Sequence, residues 1–354
     1  MSGRRTSRNI AKATLVVGDE VPRGAVRMRE IAERAGVTAM TVSRALRTPN
    51  KVSPDTLERI RKAIDELGFL PNFVAGSLSS RQSRMVAVSV PSLANSVFSD
   101  FIEEMSTTLI AKGYTTMVGC SSYDHKYEEE ILSEFLGWRP AGVVLTGTSH
   151  TERTREMCRR SGVPIIETWC KTTKPLDIVV GFSNQRAAYE MTRSLIGWGY
   201  KKIGFGYVDS ENNDRSMERR RGWKKALKEA GYECQDSRTQ GGSFAIREGA
   251  MILDRLLERH SDTDAIVFGS DTLAVGALME AQRRGMRVPE DIAITGFGDV
   301  EIAGETVPSL TTVRTPRREL GRMCAEVLLE KIAGTYQGPR VIDRGFEIIR
   351  RQSA

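Results

Sequence analysis

Met40, Thr41, Ser43, Arg44 and Arg47 crowd one side of the stretch AMTVSRALR. At helical spacing Val42, Ala45 and Leu46 point the other way, which leaves Ala39, Met40, Ser43, Arg44 and Arg47 free and Thr41 at the edge. The chemistry open to such a face is hydrogen bonding to base edges. Small residues let a backbone approach a major groove, and an Arg can fork onto a guanine. A helix pair buried in an ordinary core would not leave two Arg, a Ser and a Thr on its free side. Other chemistry has little support. The three His (His125, His150, His260) lie far apart and match no metal spacing, and the five Cys (Cys120, Cys158, Cys170, Cys234, Cys324) include no CxxC. There is no GxxxxGK[ST] loop, and the GFGY run lacks the GxGxxG pattern, so nucleotide binding is not expected. With no nucleophile–base arrangement either, no catalytic residue, metal or cofactor is assigned. An enzyme carrying an appended DNA-binding domain is the weaker alternative.

The elements that must position this face are two short helices within residues 28–47, joined by a tight turn at Gly36-Val37. Met28, Ile31, Ala32 and Ala35 form the apolar side of the first. Thr38 stands where an N-cap belongs, able to accept from an orphan N–H of the next turn. Ser53-Pro54-Asp55 reads as a third helix start, with a cap, a Pro at the first position and an acid in the first turn. Leu57, Ile60, Ile64 and Leu67 make its stripe, and Gly68 closes it.

Charge follows the same division. Residues 1–84 hold 16 Lys and Arg against 8 Asp and Glu, a net of +8, while residues 85–354 hold 36 against 37. The excess positive charge therefore belongs to the helix-turn-helix segment, the footprint of a phosphate-binding module joined to a neutral one. The scattered Cys are those of reduced thiols in a cytoplasmic protein. No apolar run is long enough for a membrane span, and no signal peptide precedes the first domain. Residues 1–25 show no sustained period and are expected to form a disordered basic arm. By composition alone, FLPNFVAGSLSSRQSR at 69–84 reads as a linker.

From Met85 the pattern becomes alternating strands and helices. MVAVSVP, YTTMVGC, AGVVLTG and VPIIET form one series. A second opens with DIVVGF and continues through KIGFGYV, DAIVFGS and DIAITGF. Such alternation predicts parallel sheets covered by helices, here in two lobes, with a ligand at the carboxyl ends of the strands.

The chain resembles the lactose-repressor (LacI/GalR) family over residues 26–354. The resemblance is carried by IAERAGVTAMTVSRALR, KVSPDT, LGFLPNFVAGSL, VFGSDTLAVGAL, VPEDIAITGF and VPSLTTVRTP. It implies an all-α helix-turn-helix headpiece plus an α/β two-lobed effector domain of periplasmic-binding-protein type. The domains would be 1–25 as the extension, 26–71 as the DNA-binding domain, 72–84 as a hinge helix or linker, and 85–354 for effector binding and dimerisation. The lobes would span about 85–182 plus 314–334, and 184–311 plus 335–354.

Carried over by position, Thr38, Ala39, Met40, Thr41, Ser43 and Arg44 would face bases or adjacent phosphates. Arg29, Arg47, Lys51 and Asn72 would lie near the backbone, and Leu78 would be the minor-groove wedge of the hinge. This replaces the plain-linker reading. The effector site would draw on Ser92, Asn95, Val97, Phe98, Glu167, Phe244, Ser270 and Asp271, with Arg219 as the ligand-gripping arginine. Sugar-binding members carry a carboxylate where this chain has Gly298, and often an Asp near Trp169. Losing acceptor carboxylates while keeping Arg219 suits an anionic ligand. Arg220 and Arg221 read as a solvated helix face. PSLANSVF, ETW and VVGFSN are most similar to the gluconate-operon repressors of the family. The expected function is repression of sugar-acid catabolism genes. A cytoplasmic, nucleoid-associated homodimer would bind a palindromic double-stranded operator and be released by gluconate or a ketogluconate. A purine or neutral-sugar effector, as a corepressor, is the alternative.

Overall fold

In the computed structural model, which describes residues 26–69, 83–210 and 212–354, Gly36 turns the chain out of its first helix. The chain divides into the units Met1–Gly76 and Ser77–Ala354. In the first, α1 (Met28–Ala35) ends at Gly36 with φ +64°, a left-handed conformation that costs glycine little, and Val37 N–H donates back to the Ala32 carbonyl at 2.9 Å. Thr38 is extended and its Oγ1 accepts from Thr41 N at 3.2 Å, which starts α2 (Ala39–Arg47). The third helix, α3 (Pro54–Leu67), follows Ser53, but the Ser53 hydroxyl does not reach a helix N–H. It donates to Thr56 Oγ1 at 2.8 Å, and the Ser53 carbonyl accepts from Leu57 N at 2.9 Å. Ile31, Ala32, Ala35, Val42, Ala45, Ile60 and Ala63 form the core, with Leu57, Ile64 and Leu67 packed at its edge. Met28 and Leu46, expected inside, are 40% and 38% exposed. Each stands at the end of its helix, beyond the short core that Ile31 and Val42 already fill.

The second unit holds two six-stranded sheets. The first has the order β11-β5-β4-β3-β1-β2, with β1 Met85–Val90, β2 Thr115–Cys120, β3 Gly142–Thr146, β4 Ile165–Thr168, β5 Ile178–Gly181 and β11 Val341–Asp343. All its pairings are parallel. The second has the order β12-β10-β9-β8-β6-β7, with β6 Ile203–Val208, β7 Thr239–Gly242, β8 Ala265–Phe268, β9 Ala293–Gly298, β10 Thr311–Arg314 and β12 Glu347–Ile349. Only β12 runs antiparallel, against β10. The central strands β3, β4, β5, β8 and β9 are buried throughout, as parallel strands covered on both faces must be.

Two boundaries differ from the sequence reading. DIVVGF belongs to the first sheet, pairing with β4, as the lobe bounds have it and not as the opening of the second series. The final segment does not stay with the second lobe: Val341–Asp343 adds an edge strand to the first sheet beside β5, and only Glu347–Ile349 joins the second. The chain thus passes between the lobes repeatedly, at 182–183, 315–316 and around 344–346. Helix Arg317–Ala333 lies on the first lobe against Ser96–Ile110. The two approach so closely that a Cβ on Gly321 would sit 2.3 Å from the Phe101 carbonyl oxygen. In the second lobe, Asn184–Gly197 and Asp214–Glu229 pack equally tightly at Gly222.

Candidate functional site

The first unit presents the surface expected of it. Ala39 and Met40 are exposed, Met40 by 71%, and Arg44 is exposed on the same helix. Ser43 and Thr41 are half-buried, and Thr41 Oγ1 lies 2.9 Å from Thr38 Oγ1. Arg29 is exposed and bridged to Glu33 at 3.1 Å. Among the described residues Arg44 and Lys51 make no ion pair, so both charges stand free for phosphate or base. Asn72 and Leu78, the side chain of Arg47, and the proposed extension at 1–25 lie outside the described residues.

Between the lobes of the second unit, at the carboxyl ends of the strands, lies a narrow cleft. Asn95, Val97, Phe98, Arg219, Phe244, Ser270 and Asp271 all line it, as the resemblance implied. So do Trp169, Phe182, Asn184, Arg215, Phe297 and Gly298.

Arg219 is the chemical centre of the cavity. Its Nη1 donates to Asn184 Oδ1 at 2.7 Å, its guanidinium carbon lies 4.6 Å from the centre of the Phe297 ring, and its enclosed Nε has no partner. No carboxylate among the described residues pairs with it. Burial, with Arg215 nearby, lowers its pKa to about 10, which leaves it fully charged at neutral pH. Its neighbours in sequence have acidic partners: Arg215 pairs with Asp214 at 2.9 Å and Arg220 with Asp236 at 3.2 Å. Arg221 is exposed, whereas Arg220 is half-buried and bonded also to Thr239, so the solvated-face reading holds for Arg221 alone.

Asp271 is the cavity's one carboxylate among the described residues, and both oxygens are occupied. Oδ2 accepts from Val300 N at 2.9 Å and Oδ1 from the Thr312 hydroxyl at 2.6 Å. Burial pushes its pKa up to about 6. Gly298 has φ +137°, and a Cβ there would lie 3.2 Å from Asp271 Oδ2 and 3.3 Å from Val97 Cγ1. A cation with an unpartnered donor, facing no free carboxylate among the described residues, favours an anionic guest.

Two expected cavity residues lie elsewhere. Ser92 is not in the lining, and its Oγ accepts from Ala94 N at 3.2 Å within its own turn. Glu167 is fully buried on the far face of the first sheet. Strand alternation puts Ile165 and Glu167 on one side of β4 and Ile166 on the other. Ile165 packs with Cys158 and Leu132, whereas Ile166 belongs to the core that holds Cys324 and Leu328. Glu167 Oε2 accepts from Leu176 N at 2.6 Å, and its Oε1 lies 3.4 Å from His150 Nε2. His150 Nδ1 is 2.7 Å from Glu128 Oε1. Burial alone would lower the His150 pKa, but Glu128 and Glu167 outweigh it and raise it to about 9. Sequence reasoning does not single out Asn184, because its role depends on partners in both lobes.

Residues 27–72 match the family described as Bacterial regulatory proteins, lacI family, and residues 192–354 match the Periplasmic binding protein-like domain. The chain is 36% identical over 321 residues to the HTH-type transcriptional regulator GntR of Escherichia coli (strain K12), covering 91% of this chain and 96% of that protein. It is 36% identical over 334 residues to GntR of Pseudomonas aeruginosa, covering 92% and 95%. A solved structure of a LacI-family transcriptional regulator from Silicibacter pomeroyi superposes with a TM-score of 0.86 at 32% identity, over 93% of this chain and 99% of that one. Among the described residues no helix is long and apolar enough to cross a membrane.

Proposed function

The chain belongs to the lacI family of bacterial regulatory proteins, and we propose that it represses transcription as a homodimer on a palindromic operator until a small sugar acid fills its cavity. It is a transcriptional regulator and not an enzyme. Gluconate or a ketogluconate is the proposed effector. The observation that carries this is Arg219: a guanidinium with an enclosed, unpartnered Nε, in a cavity whose one carboxylate among the described residues is already bonded to protein. A sugar acid offers a carboxylate to the cation and hydroxyls to Asn95 and Ser270, while apolar carbon can lie against Phe98 and Phe244.

Repression and release are linked free energies. If the acid prefers the lobe arrangement that holds the two hinges apart, its binding weakens operator binding, and the operator weakens acid binding by the same factor. On the DNA side, Thr38, Ala39, Met40, Thr41, Ser43 and Arg44 are the proposed base-facing set, with Arg29, Arg47, Lys51 and Asn72 near phosphates and Leu78 as the wedge. The work is done in the cytoplasm, on the nucleoid.

Calorimetric titration of the full chain with gluconate, 2-ketogluconate, sorbitol, glucose and a purine base tests the effector. Binding of an acid with little or none of its neutral counterpart supports the reading. Preference for the purine or for glucose replaces it.

A further inference from the structure

Asn184 begins helix Asn184–Gly197 where the chain first passes from one lobe to the other, and it is fully buried. Its Nδ2 donates to the main-chain oxygen of Trp169, in the first lobe, at 2.8 Å. Its Oδ1 accepts from Arg219 Nη1, in the second, at 2.7 Å. The amide has only this orientation, because a carbonyl oxygen solely accepts and a guanidinium solely donates. One side chain therefore spans the two lobes at the back of the cavity.

The donors left over point to what the arrangement is for. Arg219 Nε and Trp169 Nε1 are both enclosed without a partner, and both side chains line the cavity. Trp169 holds φ +69°, a left-handed conformation that a bulky residue rarely adopts and that tends to persist at working sites. Its indole is fixed edge-on against Phe98 at 5.1 Å and Phe101 at 5.8 Å. Enclosed N–H groups without acceptors are costly, so a guest that supplies acceptors to both is selected over one that does not. A carboxylate for Arg219 and an adjacent oxygen for the indole N–H meet that demand together.

We propose that Asn184 is the positioning residue of this cavity. It occupies Nη1 of Arg219 so that the rest of the fork is left for the guest, and it ties that setting to the main chain of Trp169, so capture of the acid and approach of the lobes become one event. An Asp at this position would pair with Arg219 itself, remove the need for an anionic guest and repel the Trp169 carbonyl. The inference rests on the cavity being an acid site, and its structural half stands apart from that reading.

The experiment uses the full chain as wild type, Asn184→Ala and Asn184→Asp, each taken to a crystal structure and titrated with gluconate and with sorbitol. In Asn184→Ala the Arg219 guanidinium leaves the Phe297 ring, and gluconate affinity falls at least about tenfold, the scale of a hydrogen bond to a charged group. In Asn184→Asp the guanidinium stays, now paired, yet gluconate affinity falls further than in the Ala variant while sorbitol binding does not change. A guanidinium unmoved in the Ala variant, or gluconate affinity retained in the Asp variant, overturns the proposal. Should the wild type bind no gluconate, the acid reading falls, and the position of Arg219 in the Ala structure still decides the role of Asn184.

Discussion

Asp214, at the start of its helix in the second lobe, accepts the main-chain N–H of Thr148 in the first lobe at 2.8 Å. The same oxygen accepts from Ser149 N at 3.1 Å, and Arg215 Nη1 donates to the other oxygen at 2.9 Å. Burial alone would raise this carboxyl's pKa, yet Arg215 and the Thr148, Ser149 and Arg215 N–H groups together hold it below the usual carboxylate range. The carboxylate is thus a contact between the two lobes, made only while the loop after β3 and the second lobe stand close together.

Asp214→Asn replaces an ionised acceptor with an amide whose NH2 group must face donors, either Thr148 and Ser149 N–H or those of Arg215. Charge-assisted hydrogen bonds of this kind contribute about 1.5–3 kcal/mol. Effector affinity in the variant is expected to drop by about tenfold, because the lobe arrangement that holds the guest is destabilised. Calorimetry against wild type checks this, and an unchanged affinity would mean that the contact has no part in closure.

Arg44→Ala removes the exposed arginine of the second headpiece helix, and operator affinity is expected to weaken by about 1–3 kcal/mol with relaxed specificity at one base position. Leu78→Ala, at the wedge position, should reduce specific binding more than non-specific binding. Fluorescence anisotropy on specific and scrambled duplexes measures both. Equal loss on the two duplexes for Leu78→Ala would remove the wedge.

The Glu128–His150–Glu167 cluster predicts a pH dependence with a definite sign. The His150 pKa is raised in the folded protein to about 9, so the native state binds the extra proton. The stability this provides is complete below the unfolded value near 6.5 and is lost as pH rises through about 9. His150→Gln leaves two buried carboxylates without their cation and should cost about 3–5 kcal/mol near neutral pH. Urea unfolding across that range should show stability falling with pH in wild type, with that component absent from the variant.

Glu167→Gln separates the cluster from the cavity. The glutamate lies beside His150 on the far face of β4, so the variant should lose stability and keep its effector affinity. A selective loss of sugar-acid binding without destabilisation would return Glu167 to the cavity.

Much of the headpiece was legible because its signals are local. Gly36 at a left-handed turn, the Thr38 cap and the spacing of Ile31, Ala32 and Ala35 each act within a few residues. Cavity residues such as Asn95, Phe98, Arg219 and Phe244 were found through the resemblance, which fixes position rather than contact. Glu167 was misplaced because β4 is four residues long and buried on both faces, so no alternation of polarity marks which side a residue takes. The edge strand Thr239–Gly242, with sequence TQGG, has no β-branched run to announce it. The return of Val341–Asp343 to the first sheet depends on long-range pairing with β5. Asn184 reads locally as an ordinary helix-start residue, and its significance comes only from partners 15 and 35 residues away in opposite lobes.

The most direct measurement is reciprocal. Genomic fragments retained by the full chain at physiological salt supply a labelled operator, on which affinity is measured with and without saturating gluconate. Gluconate affinity is then measured with and without the operator. A repressor released by a sugar acid shows both affinities falling by the same factor, and loses the effect in Arg219→Ala. An operator affinity indifferent to every sugar acid, or a coupling that survives removal of the Arg219 guanidinium, would contradict it.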